Sequence, residues 1–231
     1  QCLVHKYINV QAIKLLSNDG YISEFNFFGS YISQINKGAV WADQDFKSSM
    51  HFYNPYRKKG LYGRKNALDL GVGYYNKARL LWDEGKFDKA FFYFGAALHI
   101  VHDMTIPQHA NIKLLDNHRQ YEAFVQRMYQ HVNYFQIEDG TYILSSLDKY
   151  IRFNARVALK IHHRFKNIRD DEQRFYKITR CSLPLAQKTS AGVMVLLYKD
   201  IFGETQGTRQ KSNKVLPYSK LVPGLRGLIR S

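Results

Sequence analysis

Apolar residues recur at three- and four-residue spacing along most of this chain, the signature of amphipathic helices rather than strands. Residues 5–17 place His5, Ile8, Ala12 and Leu16 on one helical face, and Asn18-Asp19-Gly20 supplies the stop. A second helix is expected over 24–35. From 36 to 61 the periodicity lapses among Gly38, Asp43, Asp45, His51, Asn54, Pro55 and Gly60, which reads as a long loop. Helical spacing returns over 66–84, broken by Gly85, and over 86–105, where Ala90, Phe91, Phe94, Ala97, Leu98 and Val101 make a strongly apolar helix that ends before Pro107. Further helices fit 116–132, 143–165 and 170–201, with a loop over 133–142 and a break or kink expected at Pro184.

No period-2 stretch and no internal repeat stands out, so the pattern predicts an all-α fold: a compact multi-helix single domain with a long ligand-bearing loop. The domain is expected over 1–203, followed by a basic C-terminal tail over 204–231. With 231 residues, 45% of them apolar, the chain can build a full core and is not a disordered one. The longest apolar run, 191–198, is far too short to cross a bilayer. Cys2 and Cys181 cannot make a disulfide scaffold and lack zinc-finger spacing; they are either one bridge or two free thiols. The chain begins with Gln1 and carries no charged-then-apolar leader. A processed or truncated amino terminus is therefore expected, on a secreted or cell-surface protein.

Charge narrows the partners. A formal net charge of +15 suits an anionic ligand: nucleic acid, an acidic membrane surface or a phosphate-bearing substrate. About a third of the excess lies in the tail, where Arg209, Lys211, Lys214, Lys220, Arg226 and Arg230 face one acid, Glu204. Leu221, Val222, Leu225, Leu228 and Ile229 interleave with these charges in a way that could meet an anionic lipid surface, although Pro217, Pro223 and Gly224 oppose a long helix there.

The chemistry is concentrated between His99 and Glu122, which reads H-x3-D-x5-H-x8-H-x3-E: His99, Asp103, His109, His118 and Glu122. Two of the pairs stand at i,i+4, so each presents both side chains on one helical face. Imidazole and carboxylate bind a zinc-like cation without thiolates. A single His-x3-Asp pair is as readily an ordinary helix salt bridge; two such pairs plus a further histidine point to metal.

This region resembles the bacterial zinc-dependent phospholipase C family, distant kin of the P1-type zinc nucleases. The resemblance rests on Ala97 to Asn111 (ALHIVHDMTIPQHAN), matching an H-x3-D-x3-P-x-H core, and three further segments follow in register: His5 to Ile13, Ala42-Asp43 with Met50 to Pro55 (MHFYNP), and His118 to Phe124 (HRQYEAF). It covers residues 2–203. It implies three zinc positions: one held by Asp43, His51, His99 and Asp103; a second by His109, His118 and Glu122; a third by His5 with Asp103 as a bridging carboxylate. In the family the third is completed by an amino-terminal Trp, and no Trp precedes His5 here, which leaves two zinc ions expected and a third in question. The implied reaction is hydrolysis of a phospholipid to diacylglycerol and a phosphorylated head group. Clustered cations neutralise phosphoryl oxygens and activate water for in-line attack on phosphorus, with Asp43 the residue to orient or deprotonate that water.

Substrate choice is less marked. Gln44 stands where the family has an aromatic residue after the loop aspartate, so an aromatic cage for choline is not supported. Single-stranded nucleic acid is the alternative substrate, favoured by the net charge, whereas the His118/Glu122 pair favours the lipase. A metal-stabilised binding domain without catalysis is the third reading. His102 falls where the family carries a small residue and is expected behind the ligands or partly exposed. His131, His162 and His163 are expected to be ordinary surface or core histidines. No protein partner is expected, and a monomer is.

Overall fold

A computed structural model describes residues 2–44, 49–61, 66–112 and 117–203. The expected tail, 204–231, lies outside the described residues. Nine α-helices are described: α1 Cys2–Asn18, α2 Ile22–Ser30, α3 Ile32–Ala42, α4 Ala67–Asp83, α5 Phe87–Asp103, α6 Pro107–Asn111, α7 His118–Met128, α8 Leu147–Phe165 and α9 Asp171–Phe202. Among the described residues there is no strand, only an isolated antiparallel bridge between Asn54 and Lys59. The all-α expectation is met, and no described helix is long and apolar enough to cross a membrane.

Helix α5 is the axis. Every residue from Phe94 to Asp103 is buried, because α3 and α4 flank it, α8 and α9 pack against it, and α1 touches it as well. The α3/α5 crossing is a backbone contact. A Cβ on Gly38 would stand 1.7 Å from the Phe92 carbonyl oxygen, and one on Gly95 would stand 1.9 Å from that of Ile35. Each glycine is therefore required by the close approach of the other helix. This contact sets the C-terminal end of α3 beside the ligand-bearing end of α5.

Four features depart from the sequence expectation. Residues 24–35 are not one helix, since Tyr31 (φ −110°, ψ 9°) separates α2 from α3. Helix α3 then runs to Ala42, through the first part of the expected loop; Ile35, Gly38, Ala39 and Ala42 form its buried face. Gly38 reads as a loop signal in the sequence but serves that helix crossing. Pro107 does not merely end α5: it occupies the first turn of α6, where its missing N–H costs nothing. Helix α9 continues through Pro184, held by Cys181, Leu183, Leu185 and Ala186 in a second core cluster with Tyr121 and Phe124 of α7. Cys181 is a buried free thiol, and the Cys2 side chain lies outside the described residues.

Candidate metal centre

The final turns of α5 supply His99 and Asp103, one turn apart and both buried. His99 Nε2 lies 3.0 Å from Asp103 Oδ2, and His51 Nδ1 lies 2.8 Å from the same oxygen. The two imidazole nitrogens are 3.2 Å from each other. His5, from the buried face of α1, brings Nε2 to 3.8 Å from the other oxygen, Oδ1, and its ring lies 4.1 Å from that of His99, centroid to centroid. One carboxylate thus meets three histidines drawn from α1, α5 and the segment after α3.

A second triad stands beside it. His118 Nε2 is 3.1 Å from His109 Nε2 and 2.9 Å from Glu122 Oε1, the latter one turn away on α7. Helix α7 is positioned by Tyr121, whose hydroxyl pairs with Ser182 Oγ of α9 at 2.9 Å. The two groups are tied through backbone: His109 Nδ1–H donates to the His51 carbonyl at 3.0 Å, and the Tyr53 N–H donates to the His109 carbonyl at 3.1 Å. The first of these bonds fixes the His109 tautomer, leaving Nε2 as a bare lone pair facing His118 and Glu122.

The donors fit divalent cations. With zinc–nitrogen and zinc–oxygen lengths near 2.0–2.1 Å, ligand atoms around a tetrahedral ion stand about 3.3 Å apart, close to the separations within both groups. His5, His99 and Asp103 form one cluster able to hold an ion, and His109, His118 and Glu122 form another.

Asp43 caps the C-terminal end of α3 and is half-buried. Burial raises its pKa above the usual carboxylate value, while the charges of His99 and His51 oppose that and those of Asp103 and Glu122 reinforce it. Desolvation likewise tends to raise Asp103, but His99, His109 and the hydrogen bonds from His51 and His99 outweigh it and hold this carboxyl well below the ordinary range. His99 is desolvated too, yet the Asp103 charge and hydrogen bond leave its pKa raised. Burial lowers His109 to about 4 and His102 to about 3, against the opposing charge of Asp103. His5 is also lowered well below 6.5, by burial first and the His99 charge next.

A family model described as zinc dependent phospholipase C matches residues 4–176 of this chain. The chain belongs to that family. A phospholipase C of Listeria monocytogenes is 34% identical over 119 residues, spanning 46% of this chain and 40% of the relative. A phospholipase C of Clostridium novyi is 29% identical over 147 residues, spanning 53% of this chain and 37% of the relative. The alignments thus take in well under half of those relatives' length. Among solved structures, the alpha toxin of Clostridium absonum superposes with a TM-score of 0.75 at 16% identity, covering 89% of this chain and 65% of the toxin. The alpha-toxin of an avian Clostridium perfringens strain gives 0.74 at 18% identity, covering 90% and 66%. At such identities these superpositions speak for the fold.

Zinc is therefore the metal this family dependence and these donors indicate. All eight sequence candidates gather in one region: His5, His51, His99 and Asp103 in the first group, His109, His118 and Glu122 in the second, and Asp43 within electrostatic reach of both. Of the two places expected for His102, behind the ligands or partly exposed, it takes the first: it is fully buried against His5, the two Nδ1 atoms 3.0 Å apart. Its i,i+3 relation to His99 places it toward the same side of α5, and only the packing of α1 against α5 brings His5 onto it. His131 and His163 are exposed and His162 is half-buried.

Proposed function

We propose that this protein is a metal-dependent phosphodiester hydrolase of the phospholipase C type, cleaving phospholipid to diacylglycerol and a phosphorylated head group. The observation that carries the reading is the convergence of His5, His51, His99 and Asp103 beside His109, His118 and Glu122, two oxygen-and-nitrogen donor groups joined through the His51 and His109 backbone. His51, His99, Asp103 and Asp43 would hold one zinc, His109, His118 and Glu122 a second, and His5 with the Oδ1 side of Asp103 a third. When bound, clustered zinc lowers the pKa of water and neutralises phosphoryl oxygens. Asp43, at the end of α3 and within electrostatic reach of both groups, would orient or deprotonate the attacking water. The burial of Asp103 and its histidines keeps these groups rigid, so the donors do not reorganise as charge develops.

An open groove of about 430 Å³ between α1 and α3 is lined by Lys6, Ser33, Asn36, Lys37, Trp41 and Gln44. Its two ammonium groups suit a phosphate-bearing ligand. That groove and the +15 charge also support a second reading, cleavage of single-stranded nucleic acid. Residues 1–203 would form the catalytic domain, with 204–231 a basic tail, on a monomer that works at a phospholipid surface outside the cell.

Zinc-loaded protein incubated with phospholipid vesicles should release phosphorylated head group and diacylglycerol, and a chelator should stop it. Cleavage of single-stranded DNA with intact vesicles would replace the lipase by the nuclease. Inertness toward both, with chelation lowering only the melting temperature, would leave a metal-stabilised binding domain.

A further inference from the structure

His102 is a titratable side chain that the ligand pattern does not use. It is fully buried on α5, beside Asp103, and its Nδ1 stands 3.0 Å from His5 Nδ1. A nitrogen-to-nitrogen contact that short needs one hydrogen between the rings. Two arrangements supply it, and the opposite edge of His5 separates them. If His102 donated, the His5 hydrogen would sit on Nε2, pointing at Asp103 Oδ1 from 3.8 Å, too far to form a hydrogen bond. If His5 donates, Nε2 is a bare lone pair facing a carboxylate oxygen. Two such lone pairs at 3.8 Å repel unless a cation lies between them, and ions with bonds of about 2.0–2.1 Å fit that gap.

We propose that His102 is a positioning residue for the metal: it accepts the Nδ1–H of His5, fixing tautomer and ring orientation so that His5 Nε2 faces Asp103 across the third cation position. Metal-bound histidines ordinarily give their second ring N–H to a carboxylate, carbonyl or water; in this chain an imidazole takes that part. His102 then carries its own hydrogen on Nε2, a buried atom with no protein partner among the described residues. A cavity of about 50 Å³ beside it, with Thr105, Tyr121, Thr179 and Ser182 in its lining, has room and polar partners for a water that would accept this hydrogen.

The proposal rests on the reading of His5 and Asp103 as metal ligands, and the experiment tests the two separately. Zinc content and affinity are measured on the full chain by metal analysis and chelator competition, with the absorption spectrum of the cobalt-loaded protein as a coordination readout. The unaltered protein, His5→Ala, His102→Ala and His102→Asn are compared. His5→Ala should lose one ion; if its zinc content and cobalt spectrum match the unaltered protein, the ligand reading fails and the proposal with it. Given that loss, His102→Ala should weaken the same ion 10–100-fold and leave the others in place. His102→Asn, whose Oδ1 can take the place of Nδ1 as acceptor, should restore affinity to within a few-fold. Unchanged affinity in His102→Ala, or no recovery with Asn, would overturn the role of His102. Should His102→Ala not fold, His102→Leu against His102→Asn makes the same comparison.

Discussion

At the residue scale the centre is an ionised carboxylate, Asp103, set among buried imidazoles, of which His5, His102 and His109 are made poor bases by burial. His99→Ala or Asp103→Ala removes a donor from the most crowded position, where His51, His99 and Asp103 Oδ2 lie within 3.2 Å of one another. Both variants are expected to lose bound zinc and turnover together, checked by metal analysis beside vesicle hydrolysis; unchanged metal content would sink the ligand assignment. The same burial gives the metal-free protein an acid-labile fold. His102 and His109, at about 3 and 4, lie below the unfolded value of about 6.5. As pH falls from about 6.5 toward 4, the unfolded chain binds protons that the folded one refuses, and stability drops. His5 adds to this; His99, whose pKa is raised, opposes it. Chelator-treated protein should therefore melt at a distinctly lower temperature at pH 5 than at pH 7, by a free-energy difference on the order of a few kcal/mol. Equal melting temperatures would contradict the buried, neutral histidines.

At the scale of elements, the site depends on how α3, α5 and α7 are docked. Gly95→Ala puts a methyl group 1.9 Å from the Ile35 carbonyl oxygen, which forces α3 away from α5. Overpacking of this kind costs about 1–3 kcal/mol or more, and the shift also displaces Asp43 at the end of α3. Denaturant unfolding should show that loss, and zinc affinity should fall with it; a variant as stable as the parent would mean that the crossing is not tight. Much of this scale was legible in the sequence. The i,i+4 spacing of His99/Asp103 and of His118/Glu122 already placed each pair on one helical face, and the apolar rhythm of 86–105 marked α5. The α2/α3 break at Tyr31 and the helical run through Gly38 were not legible. A glycine forced by a neighbouring helix leaves the same trace in one chain as a glycine in a turn. Pro107 gave a stop for α5 correctly but equally opened α6, since the same fixed φ serves both ends.

For the whole molecule, donors spread from residue 5 to residue 122 are gathered onto one centre, so metal binding and folding are linked. Zinc that binds the native state alone stabilises it by RT ln(1 + [Zn]/Kd), about 4 kcal/mol at a thousandfold excess over Kd. Thermal melting should rise with zinc concentration and fall on chelation, and a melting temperature indifferent to both would argue against ions bridging these helices. The fold superposes on the alpha toxin of Clostridium absonum across 89% of the chain at 16% identity. A core of that size and shape is evidently compatible with many side-chain sets.

The sequence by itself determined the helical class, because apolar period is a local property of consecutive residues. It also determined the donors, because imidazoles and carboxylates one turn apart are visible without a fold. Only the tertiary structure decided which of these side chains stand together. His51 and His5 reach Asp103 from segments about fifty and a hundred residues away, and no periodicity encodes that distance. It decided the place of His102 as well: three residues from His99 along the helix, its ring is aimed by the packing of α1 against α5, and that contact turns an incidental histidine into the neighbour of His5.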